Sequence, residues 1–148
     1  MKINKKKTEL TLNMTTIHHT GIAVSSIEAK LPFYFNALGM KQLTDIKHDP
    51  IQKVRVVLLG YSENDQHPPF IELVEPSGSN TPIDRFLQQN ISIYHYCIEV
   101  PDIEAALQTA RTNKAIIIQR PVPAILFNNR KIAWILTPDK YLIEFLEQ

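Results

Sequence analysis

Short runs of alternating apolar and polar residues, separated by turn-forming segments, occur along most of the chain. Ile17–Val24 alternates in this way and is rich in β-branched residues, which predicts a strand. Ser25–Ser26 provides N-cap residues for a helix that continues to about Leu38 and ends at Gly39. Because Pro32 lacks a backbone donor, we expect it to kink the early turns or to delay the regular helix.

The same order of elements is predicted twice. In the first half, strands are expected near Met40–Lys47, Val54–Leu59 and Phe70–Val74, followed by a turn-rich linker at Pro76–Pro82 and a short helix at Ile83–Gln89. In the second half, a strand at 93–100 precedes a helix capped by Asp102 and ending near Asn113, and strands follow near 115–119, 131–136 and 141–146. This pattern predicts an α+β fold built from paired βαβββ modules.

The chain also resembles itself residue by residue. His19–Leu31 and His95–Leu107 lie 76 residues apart and agree at seven of thirteen positions. Further along each half, Ile71–Glu75 resembles Ile143–Glu147. Each half therefore contains a histidine on an early strand, a helix and a glutamate on a late strand, which indicates an internal repeat.

Strand alternation places the repeated glutamates on faces that are otherwise apolar. Glu72 shares its strand face with Phe70 and Val74, and the equivalent Glu144 shares its face with Leu142 and Leu146. A carboxylate on an apolar face is costly unless it is paired or bound to a cation. We therefore predict one divalent metal site shared by the two halves, with four ligands: His19, Glu72, His95 and Glu144.

The donor set narrows the choice of ion. Two imidazoles and two carboxylates suit Mn²⁺, Co²⁺, Ni²⁺, Fe²⁺ or Zn²⁺, whereas Ca²⁺ prefers oxygen ligands alone. Taken singly, each residue also has a structural explanation. His18 or His19 could be a surface or turn histidine, and a glutamate at a strand end is usually solvated, as we expect for Glu75 and Glu147. The repeat links the four ligand positions and favours the metal site.

Composition limits the partners and the compartment. The chain has 148 residues, of which 44% are hydrophobic and 21% charged, and its net charge of +1 does not favour nucleic acid or an anionic membrane as partner. Its single cysteine, Cys97, excludes an internal disulfide and fits a reducing compartment. No apolar run has transmembrane length, and no secretory signal follows the N-terminal lysines, so we expect a cytoplasmic location.

The two halves are expected to form one domain. Residues 1–14 are basic and carry no core pattern, so we expect a flexible N-terminal tail, with Met14 as an alternative natural start. Residues 15–148 are expected to form a single domain made of two repeats, at about 15–76 and 91–148.

Five segments are similar to those of a known family: Ile17–Val24, Ile71–Pro76, Pro82–Leu87, His95–Val100 and Tyr141–Phe145. They resemble the methylmalonyl-CoA epimerases and other glyoxalase-like proteins of the vicinal oxygen chelate superfamily. The resemblance extends over about residues 15–148, nearly the whole chain. The resemblance implies modules whose sheet curls around a metal cavity, with the ligands on His19, Glu72, His95 and Glu144. Three segments differ from the family's glycine-containing ones: Ile91–Tyr94, Pro121–Arg130 and Asp139–Tyr141.

The resemblance also implies an activity. It is a metal-dependent epimerisation by proton abstraction beside a carbonyl, on an acyl-CoA thioester of methylmalonyl type. Glu144 is expected to be one base, and Asp49 the other, with His48 as an alternative and a turn role as the structural explanation of Asp49. The alternatives are a glyoxalase-I-type lyase or isomerase and a non-catalytic small-molecule-binding protein of the resistance type. The expected partners are a small-molecule substrate and a second copy of the chain in a homodimer.

Overall fold

The computed structural model describes residues 16–62, 64 and 66–148, so the expected tail at 1–14 lies outside the described residues. The first half contains β1 (Thr16–Ala23), α1 (Ile27–Leu38), β2 (Lys41–Gln42), β3 (Lys47–Asp49), β4 (Val54–Gly60) and β5 (Phe70–Pro76). The short helix α2 (Asp84–Gln88) leads to the second half, which contains β6 (Ile93–Val100), α3 (Ile103–Thr112), β7 (Ile116–Pro123), β8 (Lys131–Leu136) and β9 (Leu142–Glu147). A single 3₁₀ turn at Ile125–Phe127 connects β7 to β8.

The nine strands of the described residues belong to one mixed sheet. Its order is β2-β4-β5-β1-β6-β9-β8-β7, with β3 paired to β4. Strand β1 is parallel to β5 and β6 is parallel to β9, while β1 and β6 run antiparallel at the centre, where the two halves meet. The predicted α+β fold of paired βαβββ modules in a curled sheet is therefore confirmed. No helix of the described segments is long and apolar enough to cross a membrane.

Three apolar clusters hold the fold together. One lies under α1 and contains Ile27 and Leu73, and a second lies under α3 and contains Ile103. The third is formed by both halves on the opposite face of the sheet and includes Phe70 and Trp134. The alternation of apolar residues thus separates a helix-covered face from an inner face shared by the two modules.

Two predicted elements of the first half differ from the structure. Helix α1 begins at Ile27, directly after the Ser26 cap, and Pro32 lies inside it, so the expected delay is wrong. The single strand expected at Met40–Lys47 is instead the two short strands β2 and β3. Between them the side chain of Thr44, rather than a backbone carbonyl, accepts the N–H of Leu58, which interrupts the ladder.

The second glutamate of each repeated motif is a helix cap and not a solvated residue. The Glu75 carboxylate accepts the backbone N–H of Ile27 at 2.7 Å, and the Glu147 carboxylate accepts that of Ile103 at 3.0 Å. The first amides of a helix have no partner within the helix, and its N-terminus favours negative charge. The expectation that both glutamates are solvated was wrong because it ignored the helix start that packs beside each strand end.

Removal of one such cap should lower stability without affecting the site. We expect Glu147→Ala to reduce the free energy of unfolding by about 1 kcal/mol, because Ile103 then loses its acceptor. Glu147→Gln retains an acceptor oxygen and should recover part of the loss. Urea unfolding measures both, with the exposed helix residue Gln108→Ala as control. Equal stabilities of the alanine variant and the wild type would contradict the capping role.

Candidate metal centre

The register of the central strands places the four predicted ligands around one point. In the pairing of β5 with β1 and of β1 with β6, Glu72 lies beside Gly21, and Gly21 beside His95. In the pairing of β9 with β6 and of β6 with β1, Glu144 lies beside Cys97, and Cys97 beside His19. The sheet therefore carries two equivalent rows of three residues, related by the internal repeat: Glu72, Gly21 and His95 in one, and Glu144, Cys97 and His19 in the other.

The side chains of these rows converge. The Nε2 atoms of His19 and His95 are 3.0 Å apart, and Glu72 Oε2 lies 3.5 Å from the first and 3.4 Å from the second. These three residues can each offer a ligand atom within 4.8 Å of one another. Glu144 adds an oxygen, Oε1, at 3.7 Å from His19 Nε2. Gly21 makes this approach possible, because the His95 ring occupies the space that a Cβ atom there would need.

Burial makes the converging groups costly without a partner. All four side chains are buried, with His19 fully inaccessible. Glu144 Oε1 and His95 Nδ1 are buried atoms that have no hydrogen-bond partner in the described part of the chain. A buried carboxylate oxygen without a donor destabilises a protein by about 1–3 kcal/mol or more, unless a cation or a proton satisfies it. The donor set therefore fits a divalent ion of the kind that accepts both nitrogen and oxygen ligands.

A narrow chamber opens beside this cluster. It has a volume of about 30 Å³, and its walls include Glu72, His95 and Glu144 together with apolar residues from both halves. Three of the apolar residues come from the segment after β7: Ala124, Leu126 and Phe127. A wider groove of about 480 Å³ lies outside, and Gln52, Tyr94 and Trp134 line both spaces.

Asp49 also reaches this chamber. Its side chain is buried at the end of β3 and lies on the chamber wall with Glu144. Its Oδ1 accepts the backbone N–H groups of Ile51 and Gln52 at 2.9 and 3.0 Å, so Asp49 forms the predicted turn as well. His48 is exposed and does not line the chamber, so Asp49 is the better placed of the two proposed second bases.

Charge and burial oppose each other at the centre. Burial raises the pKa of Glu144 to about 8, and the neighbouring Glu72 and Asp49 add to this, while His19 opposes it. Burial alone would lower the pKa of His19, but the carboxylates of Glu72 and Glu144 outweigh it and raise that pKa. Burial and the charge of His19 hold the pKa of His95 well below its usual range. A bound cation would favour the ligand form of all three groups.

Comparison with known proteins assigns the family. The model of the glyoxalase/bleomycin resistance protein/dioxygenase superfamily matches residues 18–134, about four fifths of the chain. This chain belongs to that superfamily. The matched range includes His19, Glu72 and His95, whereas Glu144 follows it.

The relatives of this chain within the superfamily are named for different activities. The mitochondrial methylmalonyl-CoA epimerase of Homo sapiens is 34% identical over 104 residues, which are 69% of this chain and 56% of the human protein, so the chain spans little more than half of that relative. The lactoylglutathione lyase of Haemophilus influenzae is 29% identical over 131 residues, 88% of this chain and 91% of the relative. The crystal structure of a hypothetical protein from Bacillus halodurans superposes on this chain with a TM-score of 0.76 at 33% identity. The superposition covers 90% of this chain and 94% of the other.

Sequence reasoning missed two contacts behind the ligands. The Nδ1 atom of His18 lies 2.9 Å from Nδ1 of His19, although strand neighbours usually face opposite sides. Cys97 lies beside Glu144 in the pairing of β6 with β9, and burial, together with the neighbouring Glu144, raises the pKa of its thiol well above the usual range, so the thiol stays protonated. The doubled histidine and the cysteine two residues after His95 were visible signals, but their partners depend on strand register.

The protein stripped of metal should become less stable as the pH rises from 6.5 to about 8. Burial raises the pKa of Glu144 to about 8, so the folded state holds a proton that the unfolded chain, at about 4.5, has released. A state that binds a proton more tightly is favoured at lower pH, so the free energy of unfolding falls through this window. The raised pKa of His19 acts in the same direction. Burial lowers the pKa of His18 to about 3 and that of His95 well below 6.5. Both shifts make the folded state more stable as the unfolded histidines lose their protons around pH 6.5, so they oppose the effect of Glu144 only at the lower edge of this window.

Urea unfolding in the presence of a chelator, at pH 6.5 and pH 8, measures this dependence. Added Zn²⁺ should remove most of it, because a coordinating carboxylate is already deprotonated in the folded state. A stability that rises between the two pH values in the chelated protein would contradict the arrangement.

Proposed function

We propose that this chain is a metal-dependent epimerase that moves a proton at the carbon beside the carbonyl of an acyl-CoA thioester of methylmalonyl type. The observation that carries the proposal is that two carboxylates, Glu144 and Asp49, are buried on the wall of one small chamber, next to two converging histidines. The human relative, named methylmalonyl-CoA epimerase, supports the substrate class.

The ligands in this proposal are the four residues of the two rows, His19, Glu72, His95 and Glu144, and the ion is Co²⁺, Mn²⁺, Ni²⁺, Fe²⁺ or Zn²⁺. Such an ion, when bound, polarises a carbonyl group and stabilises the negative charge that develops on its oxygen. The convergence of the two Nε2 atoms and the unpartnered Glu144 oxygen support the assignment.

The two carboxylates divide the proton transfer. Glu144, as carboxylate, takes the proton from the carbon, and the electron pair of the broken C–H bond moves toward the carbonyl oxygen. Asp49, as carboxylic acid, gives a proton to the other face of the same carbon, which inverts its configuration. The backbone bonds to Asp49 Oδ1 fix the orientation of the side chain and leave Oδ2 outside the turn. In the reverse direction the two groups exchange roles.

The shape of the cavity suggests how a large thioester would enter. The chamber of about 30 Å³ has room for only one or two water-sized groups, so the carbonyl end of the acyl group would reach into it while the rest of the molecule lies in the outer groove of about 480 Å³. At the junction, the Gln52 side chain donates to Gln119 at 2.9 Å and so connects the two halves. The apolar walls exclude water from the reacting carbon, which strengthens electrostatic interactions there.

Proton exchange tests the proposal directly. The purified protein is loaded with each candidate metal in turn and incubated with methylmalonyl-CoA in D₂O, and NMR follows the signal of the proton on the reacting carbon. We expect that signal to disappear with at least one metal and to persist with chelated protein. Exchange that proceeds equally without metal, or no exchange with any acyl-CoA ester, would overturn the assignment.

The lactoylglutathione lyase relative favours one second candidate, because the alignment with this chain covers 91% of that relative at 29% identity. The same donor set would serve proton transfer in the hemithioacetal of glutathione and methylglyoxal, so the alternative is a glyoxalase-I-type isomerase. Parallel assays with both substrates and the same metal-loaded protein separate the two. If neither reacts and small carbonyl compounds bind tightly, the chain is a binding protein.

A further inference from the structure

One polar contact of the site lies behind the ligands instead of among them. His18 and His19 are adjacent in β1, yet both are buried. The register of β1 against β6 is interrupted between Ile17 and His19, and this bulge removes the alternation that would turn His18 outward. A bulge re-aims side chains and is common beside functional sites.

Aromatic packing holds the two rings in place. His18 meets the rings of Phe70 and Phe127 edge-to-face, each at 5.2 Å between centroids. Phe127 also stacks on His19 at 5.4 Å. Because Phe127 belongs to the second half of the chain, the histidine pair is clamped between the two modules. The rings therefore have little freedom to turn away from each other.

The contact between the two rings determines where protons lie. The Nδ1 atoms of His18 and His19 are 2.9 Å apart, so a hydrogen bond there needs a proton on one atom and a lone pair on the other. His19 Nε2 is the atom that faces Glu72, His95 and Glu144. For Nε2 to offer a lone pair, a neutral His19 must carry its proton on Nδ1, and His18 Nδ1 must accept it.

We propose that His18 is a positioning residue that accepts the Nδ1 proton of His19 and so fixes the His19 tautomer whose Nε2 lone pair points into the metal site. This inference rests on the proposed metal site and extends it to a residue that does not itself bind the ion. His95 has no such support, since its Nδ1 is unpartnered among the described residues. The two histidine ligands are therefore supported unequally.

Two variants of His18 separate acceptance of a proton from packing. In His18→Asn, the amide oxygen takes the position of Nδ1 and can still accept. In His18→Leu, the apolar packing is retained and the acceptor is lost. We expect Zn²⁺ affinity, measured by competition with a chromogenic chelator, to fall about 10–100-fold in the leucine variant and to stay within about threefold of wild type in the asparagine variant. Phe70→Leu, which removes one ring contact of His18 and keeps both hydrogen-bonding atoms, should weaken Zn²⁺ binding less than His18→Leu does.

NMR of Zn²⁺-loaded protein with ¹⁵N-labelled histidine provides a readout that packing alone would not change. The wild type should show a protonated His19 Nδ1 with a ¹⁵N–¹⁵N coupling across the hydrogen bond to His18 Nδ1. Equal Zn²⁺ affinity of the leucine variant and the wild type would overturn the proposed role of His18 but leave the metal site standing. A His19 Nδ1 that carries no proton would have the same consequence. An asparagine variant as weak as the leucine variant, both with wild-type melting temperatures, would also contradict it. If the wild type binds no Zn²⁺, the metal site and this role are both wrong.

Discussion

Alanine at His19 or at His95 should remove most of the bound metal, lowering the affinity for Zn²⁺ or Co²⁺ by a factor of about 100 or more. Loss of a residue that merely supports a ligand typically weakens a metal site 10–100-fold, so loss of a ligand should exceed that range. Both Nε2 atoms are buried and 3.0 Å apart, and water cannot readily replace either ring in so closed a space. Metal analysis after dialysis should find about one ion per wild-type chain and little in either variant.

An exposed histidine provides the matched control. His48 lies on β3 and faces solvent, so His48→Ala should bind metal like wild type. Circular dichroism and melting curves establish that the variants fold. If both His19→Ala and His95→Ala retain wild-type affinity, the ligand assignment is wrong, whatever the activity of the protein.

The convergence of the four proposed ligands was predictable, because the internal repeat and the two-residue period of the strands both place these residues on one face of the sheet. His19 and His95 occupy equivalent positions in β1 and β6, and Glu72 and Glu144 occupy equivalent positions in β5 and β9. A period of two residues then assigns all four to the inner face, and the pairing of equivalent strands brings the rows together. The sequence does not contain the distances, but it fixes which face each side chain occupies.

Other parts of the site depend on departures from that period. The bulge in β1 turns His18 inward, and no propensity argument identifies a bulge at a pair of histidines. The segment after β7 lacks the glycines that the family has there, so its path over the chamber could not be inferred from the resemblance. In the structure this segment forms a 3₁₀ turn that places Leu126 and Phe127 on the chamber wall. The capping roles of Glu75 and Glu147 likewise require knowing which helix start lies beside each strand end.

The largest effect on activity is expected at Glu144 and Asp49, the two proposed bases among the three carboxylates of the chamber wall. Glu144→Gln retains the shape of the side chain and a weakly coordinating oxygen, but an amide cannot accept a proton at neutral pH. We expect proton exchange in the epimer whose proton faces Glu144 to fall by a factor of about 100 or more. Much of the metal should stay bound, because three ligands remain. Glu72→Gln is the matched control, since Glu72 is the equivalent ligand in the other half. At saturating metal this control should retain exchange within about tenfold of wild type.

Asp49→Asn tests the opposite face of the same carbon. Asparagine can still accept the backbone N–H groups of Ile51 and Gln52, so the turn and the fold should persist and metal affinity should not change. Inversion of configuration should fall by a factor of about 100 or more, because no acid remains to protonate the far face. Glu144 should nevertheless exchange the proton of one epimer with solvent deuterium and return it on the same face. In Glu144→Gln, Asp49 should likewise exchange the proton of the other epimer with solvent deuterium and return it on the same face. If Asp49→Asn inverts the substrate at the wild-type rate, Asp49 is only a turn residue, and the second base of the epimerase must be sought elsewhere on the chamber wall.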